Sequence, residues 1–311
     1  MHAWESIQKT LDWIEVNIKE DIQIEMLADM AALSLFYYQR LFSRLVKRPV
    51  REYIKLRRLA LACESLRNTD ARIVDIAIEH GFGSREAFSR AFKGTYGIWP
   101  SQYRDDPIGL DNFDKPDLLL GYVMIDEGVP LISDGLVLEM NRKTLATPID
   151  FAGISTPVPF KRGKMLGERP GISGPDAVWR QLFKRLHDAP HLRGGRMLGV
   201  FYDGDAPAGH ADYFAGTEVM DGMCSSGFDT WQMPSREYVV CSFEAENFEQ
   251  LGPPMGKAMK YTRFWLKKHG LIADGFFVEL YHKVTPHVAH IELWIPFRNR
   301  ENKEEATNEQ V

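Results

Sequence analysis

The sequence predicts a multidomain chain of two unlike halves. An all-α N-terminal domain with two tandem helix-turn-helix units precedes an α+β domain of two pseudo-repeated halves, each an antiparallel sheet with one helix. Three observations carry this. Apolar residues recur at helical spacing through the first hundred residues, and a helix, turn and second helix occur there twice, fifty residues apart. From Leu136 onward, short β-branched and aromatic runs bounded by turn formers replace the helical period.

Residues 4–19 read as a first helix, with Trp4, Ile7, Leu11, Ile14 and Ile18 along one side. A short positioning helix follows over 24–31, and Ser34 opens the next. Residues 50–66 read as a spacer helix of about 25 Å. The second unit starts near Ile73. There Gly81 and Gly83 flank Phe82, Ser84 caps, and Ala87, Phe88, Ala91, Phe92 and Tyr96 form an apolar stripe. That stripe leaves Arg85, Glu86, Ser89, Arg90 and Lys93 outside. In the first unit Phe36, Gln39, Arg40 and Ser43 are the outward residues.

The units match in pattern. Ser34 corresponds to Ser84, Arg40 to Arg90, Phe42 to Phe92, and residues 26–29 to 75–78, with one extra residue in the second turn. Such an outer face can read base edges: Arg forks onto guanine O6 and N7, and Gln spans adenine with both ends of its amide. Arg51, Lys55, Arg57 and Arg58 on the spacer are candidates for phosphate contacts, which position without specifying.

The net charge of −5 divides unevenly. Residues 1–105 hold 16 Lys and Arg against 14 Asp and Glu, the remainder 22 against 29, and residues 34–67 hold nine basic against two acidic. Positive charge is thus concentrated around the first outward-facing helix, as a nucleic-acid partner requires, and the acidic second half points to a different partner. No apolar stretch approaches the roughly 20 residues of a membrane span. The start, MHAWESIQKTLDW, lacks the basic, apolar and small-residue regions of a signal peptide, so a cytoplasmic location is expected.

Cys63, Cys224 and Cys241 form no C-x-x-C pair, which fits a reducing compartment. His282, His287 and His290 lie close together, but Pro286 separates them and no cysteine is at ligand spacing, so neither a metal nor a cofactor is expected. Motifs for a phosphate cradle, a serine hydrolase and a zinc protease do not occur.

Residues 4–104 resemble the DNA-binding domain of the AraC/XylS transcription regulators, most specifically in IVDIAIEHGFGSREAFSRAFKGTYGIWPSQYR and in the upstream QRLFSRL. The resemblance implies double-stranded promoter DNA as a partner, with RNA polymerase beside it. It assigns base contacts to Phe36, Gln39 and Arg40 in the first unit, and the corresponding places in the second fall on Arg85, Glu86, Ser89 and Arg90. Ala32 and Arg48 stand where the family often has glycines.

Residues 1–105 are read as the DNA-binding domain and 106–135 as a linker with one packed segment at 118–125. Residues 136–298 form the second domain, and 299–311 a disordered tail. In that domain LVLEM, FAGIS, RMLGVFY, DYFAGTEVM, REYVVCSF, FFVELYH and HIELWIPF read as strands, with helices near 176–188 and 248–269. Alternation puts Phe277, Glu279 and Tyr281 on one face of their strand, and Glu292 with Trp294 opposite Ile291, Leu293 and Ile295. Each strand is then expected to carry an acid beside an aromatic ring on its non-core face. Carboxylate plus ring holds an organic cation, the ring adding about 0.5–2 kcal/mol.

By strand order and the phrases FFVELYH and HIELWIP, this half resembles the GyrI-like small-molecule-binding domain. The resemblance implies a cationic or aromatic effector met by a glutamate in a groove between the halves. By position the match falls on Glu279 and Glu292, with Tyr281, Trp294, Trp179, Tyr202 and Trp231 as lining and Tyr213, Tyr238 and Trp265 as further candidates. The reading is a ligand-responsive regulator and not an enzyme. The alternative is hydrolysis of a small electrophile by Glu279 and Tyr281, which would need a base of raised pKa within reach of water.

Overall fold

The structure, a computed structural model, describes residues 3–118, 126–133, 136–160, 170–219, 227–245, 251–284 and 288–299. Most of the expected packed segment at 118–125, nearly all of the expected tail, Cys224 and His287 lie outside the described residues. The chain divides into two compact units, residues 1–123 with 167–173 and residues 124–166 with 174–311.

The first unit contains α1 (Ala3–Val16), α2 (Ile24–Met30), α3 (Leu35–Val46), α4 (Val50–Asn68), α5 (Ile73–Glu79), α6 (Arg85–Tyr96) and α7 (Pro100–Asp105). It has two cores. Ile7, Leu11, Leu27, Tyr38, Phe42 and Tyr53 fill the first, and Leu59, Cys63, Ile76, Phe88, Phe92 and Tyr96 the second. The spacer α4 contributes to both, and its 19 residues span about 28 Å. Truncating a fully buried ring such as Phe42 or Phe92 costs about 3–5 kcal/mol, so each core holds its own pair of helices firmly.

The tandem match extends to backbone detail. Ser34 and Ser84 each cap the following helix, accepting from the backbone N–H of Tyr37 at 3.4 Å and of Ala87 at 3.1 Å. The inner turns place Ala32 at φ 55° and Gly81 at φ 71°, and the outer turns place Lys47 at φ 62° and Gly97 at φ 83°. The left-handed residue after α3 is therefore Lys47, one position before the expected Arg48. A two-residue strand, β1 (Leu110–Asp111), pairs with β5 (Gly171–Ile172) in this unit.

The second unit is an antiparallel sheet of β2 (Leu131–Ser133), β3 (Leu136–Thr144), β4 (Ile149–Pro159), β6 (Met197–Tyr202), β7 (His210–Glu218), β8 (Asp229–Met233), β9 (Glu237–Ala245), β10 (Leu271–Ala273), β11 (Phe277–Val284) and β12 (Ala289–Asn299). Its order is β2-β3-β9-β12-β11-β6-β7-β4-β8, with β10 on β12. Helix α8 (Gly174–His187) packs on β4 and β7, and α9 (Gly252–Lys268) on β3, β9 and β10. The halves β4-α8-β6-β7 and β9-α9-β11-β12 meet at the β6-β11 pair. The strand preceding each half crosses over, β3 joining β9 and β8 joining β4.

Candidate DNA interface and effector site

Helix spacing places the polar residues of α3 and α6 outward because Tyr38, Phe42 and Val46 on one helix, and Phe88, Phe92 and Tyr96 on the other, are buried. Phe36, Gln39, Arg40, Arg85, Glu86, Arg90 and Lys93 are exposed, and Ser43 and Ser89 half-buried. Phe36 stands 75% exposed, far out of place for a core ring. The adjoining Tyr37 and Arg44 are exposed as well and were not singled out by the sequence. Lys93 Nζ lies 4.2 Å over the Trp99 ring.

Two spacer arginines are not where the sequence put them. Arg57 turns inward, forking onto Glu15 at 2.8–3.1 Å and donating to the Phe113 carbonyl at 2.7 Å. Arg58 donates to the carbonyls of Ile18 (2.8 Å), Glu20 (2.5 Å) and Gly81 (2.9 Å). A guanidinium engaged by several internal acceptors has few N–H groups left for a phosphate. Arg51 and Lys55 remain exposed.

In the second unit the sheet register separates the two glutamates. Glu279 pairs with Leu293 and Leu280 with Glu292, and directly paired residues share a face. Glu279 and Tyr281 therefore lie with Ile291 and Leu293, whereas Glu292, Trp294 and His282 lie on the reverse. The expectation that both acids line one groove on a solvent-facing side is corrected. Alternation within a strand was sound, but cross-strand register is set by pairing, and α8 covers the Glu279 face.

Under α8 the carboxyl of Glu279 is 5% exposed. Tyr213 and Tyr281 donate their hydroxyls to its Oε2 at 3.0 and 2.9 Å, and Trp179 Nε1 donates to the Tyr213 hydroxyl at 2.8 Å. Trp179 also meets Tyr281 edge to face at 5.3 Å, while Phe201 packs on Tyr213 at 4.6 Å and on Phe277 at 4.9 Å. Burial pushes the Glu279 carboxyl above its usual range, and the tyrosine hydroxyls only partly oppose this. Directly across from it is Gly199, where a Cβ would collide with the Tyr213 hydroxyl and come within 2.8 Å of Glu279 Oε2. A glycine in the bulky run MLGVFY was the available signal for this close approach. A cleft of about 390 Å³ lined by Phe183, Leu186, Met197, Thr217 and Val284 reaches Tyr281.

On the reverse face Glu292 is already matched. Lys143 Nζ lies 2.5 Å from Oε1, and His282 Nε2 and Trp294 Nε1 each lie 2.8 Å from Oε2. Burial would raise this carboxyl, but the bonds from His282 and Lys143 outweigh it and hold it at about 2. Tyr202, bonded to Ser155 at 2.6 Å, and Trp231, against Phe214 and Phe276, also belong to this side. Of the expected lining, only Trp179 and Tyr281 gather at Glu279, joined by Tyr213 and by Phe201, which the sequence did not single out.

Among the described residues no group of His, Cys, Asp and Glu could hold a metal ion, and no helix is long and apolar enough to cross a membrane.

An exposed pair of repeated reading helices and a sheet unit enclosing an acid define a two-part regulator. Residues 27–106 match the family described as helix-turn-helix domain, and residues 142–298, half of the chain, match the GyrI-like small molecule binding domain. The regulatory protein SoxS of Salmonella typhimurium is 38% identical over 98 residues, which are 32% of this chain and 92% of SoxS. The uncharacterized HTH-type transcriptional regulator YbfP of Bacillus subtilis is 42% identical over 104 residues, 33% of this chain and 35% of YbfP, so the match spans about a third of that relative. A solved structure of SAV2435 bound to tetraphenylphosphonium is similar over 54% of this chain and 98% of its own, at 15% identity and a TM-score of 0.37.

The chain belongs to the AraC-type DNA-binding transcription regulators and carries a GyrI-like small-molecule-binding domain. These relatives are named as regulators.

Proposed function

We propose that the protein is a cytoplasmic, effector-responsive regulator whose second unit takes a small organic cation with aromatic character at Glu279. One observation carries this: a buried carboxyl whose hydrogen bonds come from tyrosine hydroxyls, inside a ring of aromatic side chains. A carboxylate taken out of water without a countercharge is costly, and an entering cation supplies that charge while the rings of Trp179, Tyr213 and Tyr281 take up its apolar part. Glu292 and Trp294 act as structure in this reading, because Lys143 already neutralises the acid.

In the first unit Gln39, Arg40 and Arg90 read base edges and Phe36 packs on thymine methyls. Ser43, Ser89, Arg85 and Lys93 serve the flanking phosphates and base edges. Glu86 either accepts from a cytosine amino group or orients Arg85 and Arg90. Promoter output then changes through contacts with RNA polymerase.

The test is equilibrium binding of ethidium and of its uncharged reduced form, dihydroethidium, to the full chain. Ethidium is expected to bind with a clear advantage that Glu279→Gln removes, a loss of about 3 kcal/mol or roughly a hundredfold in Kd. Equal binding of the two dyes would sink the cation reading. For the reader, Arg40→Ala and Arg90→Ala are each expected to cost about 1–3 kcal/mol on the selected operator and to relax sequence preference.

A further inference from the structure

We propose that residues 108–118 form a strap that fixes the distance and angle between the two reading helices, with Asn112 and Phe113 as its positioning residues. This rests on α3 and α6 being the DNA readers. Ile108 and Leu110 pack against the second core, and Asn112 Oδ1 accepts the hydroxyl of Tyr96, on the last turn of α6, at 2.7 Å and the thiol of Cys63 at 3.8 Å. The very next residue serves the other module. Phe113 is buried in the first core, edge to face with Tyr53 at 5.9 Å, and Tyr53 in turn meets Phe42 of α3 at 5.6 Å.

The strap is then fastened to the first module at three more points. Arg57 donates to the Phe113 carbonyl while its other N–H groups hold Glu15, which also accepts the Tyr53 hydroxyl at 2.6 Å. Lys115 pairs with Asp12 at 2.8 Å, and the Leu118 N–H donates to Gln8 Oε1 at 2.8 Å. Inward-facing Arg57, lost as a phosphate contact, thus acquires a reason.

The physical consequence concerns spacing. Helix α4 by itself would join the modules as one rod, free to bend and to twist about its axis. The bonds of Arg58 to Ile18, Glu20 and Gly81 and the Lys19–Glu79 pair already bridge this junction with side chains, and the strap adds a main-chain connection across it that restricts that freedom further. Two readers separated by about one DNA turn, roughly 34 Å, must enter successive major grooves in phase, and one added base pair both lengthens and rotates the separation. A stiffly tied pair rejects the altered spacing, whereas a loosely tied pair tolerates it.

The experiment uses the full chain and an operator selected from random-sequence DNA. Its two half-sites are then moved together or apart by one and two base pairs. The wild type is expected to show a sharp maximum at one spacing. Asn112→Ala and Tyr96→Phe should each flatten it, the preference over a one-base-pair shift falling about fivefold or more, with affinity for an isolated half-site unchanged. The double variant should add nothing to Asn112→Ala, since that change already removes the Tyr96 bond along with the weaker one from Cys63. Asn112→Asp, which keeps the acceptor, should restore the maximum.

Tyr96→Phe keeps the core ring, so its profile decides the matter if Asn112→Ala does not fold. An unaltered profile in a folded variant overturns the proposal, as does an equal loss at every spacing and on the half-site, which reports module stability alone. Failure of the reader assignment looks different: Arg40→Ala and Arg90→Ala would bind every operator as the wild type does, and the strap's role would go with it.

Discussion

Glu279 and Glu292 lie on neighbouring, directly paired strands, a single register step apart, yet the sheet treats them as opposites. Glu292 meets Lys143, His282 and Trp294 and is held at about 2. Glu279 meets two tyrosine hydroxyls and an aromatic surround, and burial pushes it upward. Acid beside aromatic recurs in both strand phrases, so motif chemistry alone does not distinguish them. The countercharge does. Under the function proposed above, the acid that already has its cation builds the sheet, and the acid that has none is the one offered to a ligand.

The largest effect on the sheet is expected at Glu292. Glu292→Gln removes the negative charge and turns one of the two acceptor oxygens shared by Lys143, His282 and Trp294 into an NH2 donor, and it should destabilise the second unit by about 2 kcal/mol. That is less than the roughly 3–5 kcal/mol of a fully buried pair, because both partners keep part of their surface in water. Urea unfolding of the full chain measures it. Its pH dependence has a fixed sign. A carboxyl at about 2 in the fold and at its ordinary 4.5 in the unfolded chain contributes stability that is full above 4.5 and is lost as pH falls toward 2. Glu292→Gln should remove that acid-side slope.

Glu279→Gln should act in the other direction and more weakly. Its raised carboxyl holds a proton in the fold at pH values where the unfolded chain has released it, so its contribution is full below 4.5 and fades as pH rises through the folded value. A permanently neutral amide abolishes the fading. At pH 8 the variant should unfold later than the wild type, by on the order of 1 kcal/mol, the usual gain when a functional residue is relieved of its burden. If both variants lost stability with the same pH slope, the distinction between the two acids would be gone.

Much of the reader was legible because its signals are local. Helical period, the caps Ser34 and Ser84, and the fifty-residue offset are written in consecutive residues. The left-handed turns at Ala32 and Lys47 were harder to place, since neither residue announces positive φ as Gly81 and Gly97 do. Arg57 and Arg58 read as outward candidates for phosphate contacts because their acceptors, Glu15, Phe113, Ile18, Glu20 and Gly81, are far away in sequence. The same holds in the sheet. Alternation told which residues of one strand share a face, but only pairing across β6, β7, β11 and β12 told that Tyr213 and Gly199 belong with Glu279 and that Trp294 does not.

The smallest expected effect tests what closes the Glu279 side. Trp179 both meets Tyr281 edge to face and donates its indole N–H to Tyr213, whereas Trp179→Phe keeps a ring and deletes the bond. One neutral hydrogen bond contributes about 1 kcal/mol net, so the unfolding midpoint should fall slightly. An incoming ligand must part α8 from the tyrosines to reach the carboxyl. Weakening that tie therefore lowers the opening free energy, and stopped-flow association of ethidium should quicken by roughly fivefold, with Glu292→Gln leaving the rate unchanged. A slower association in Trp179→Phe would mean that the indole guides the cation inward instead of closing the cage against it.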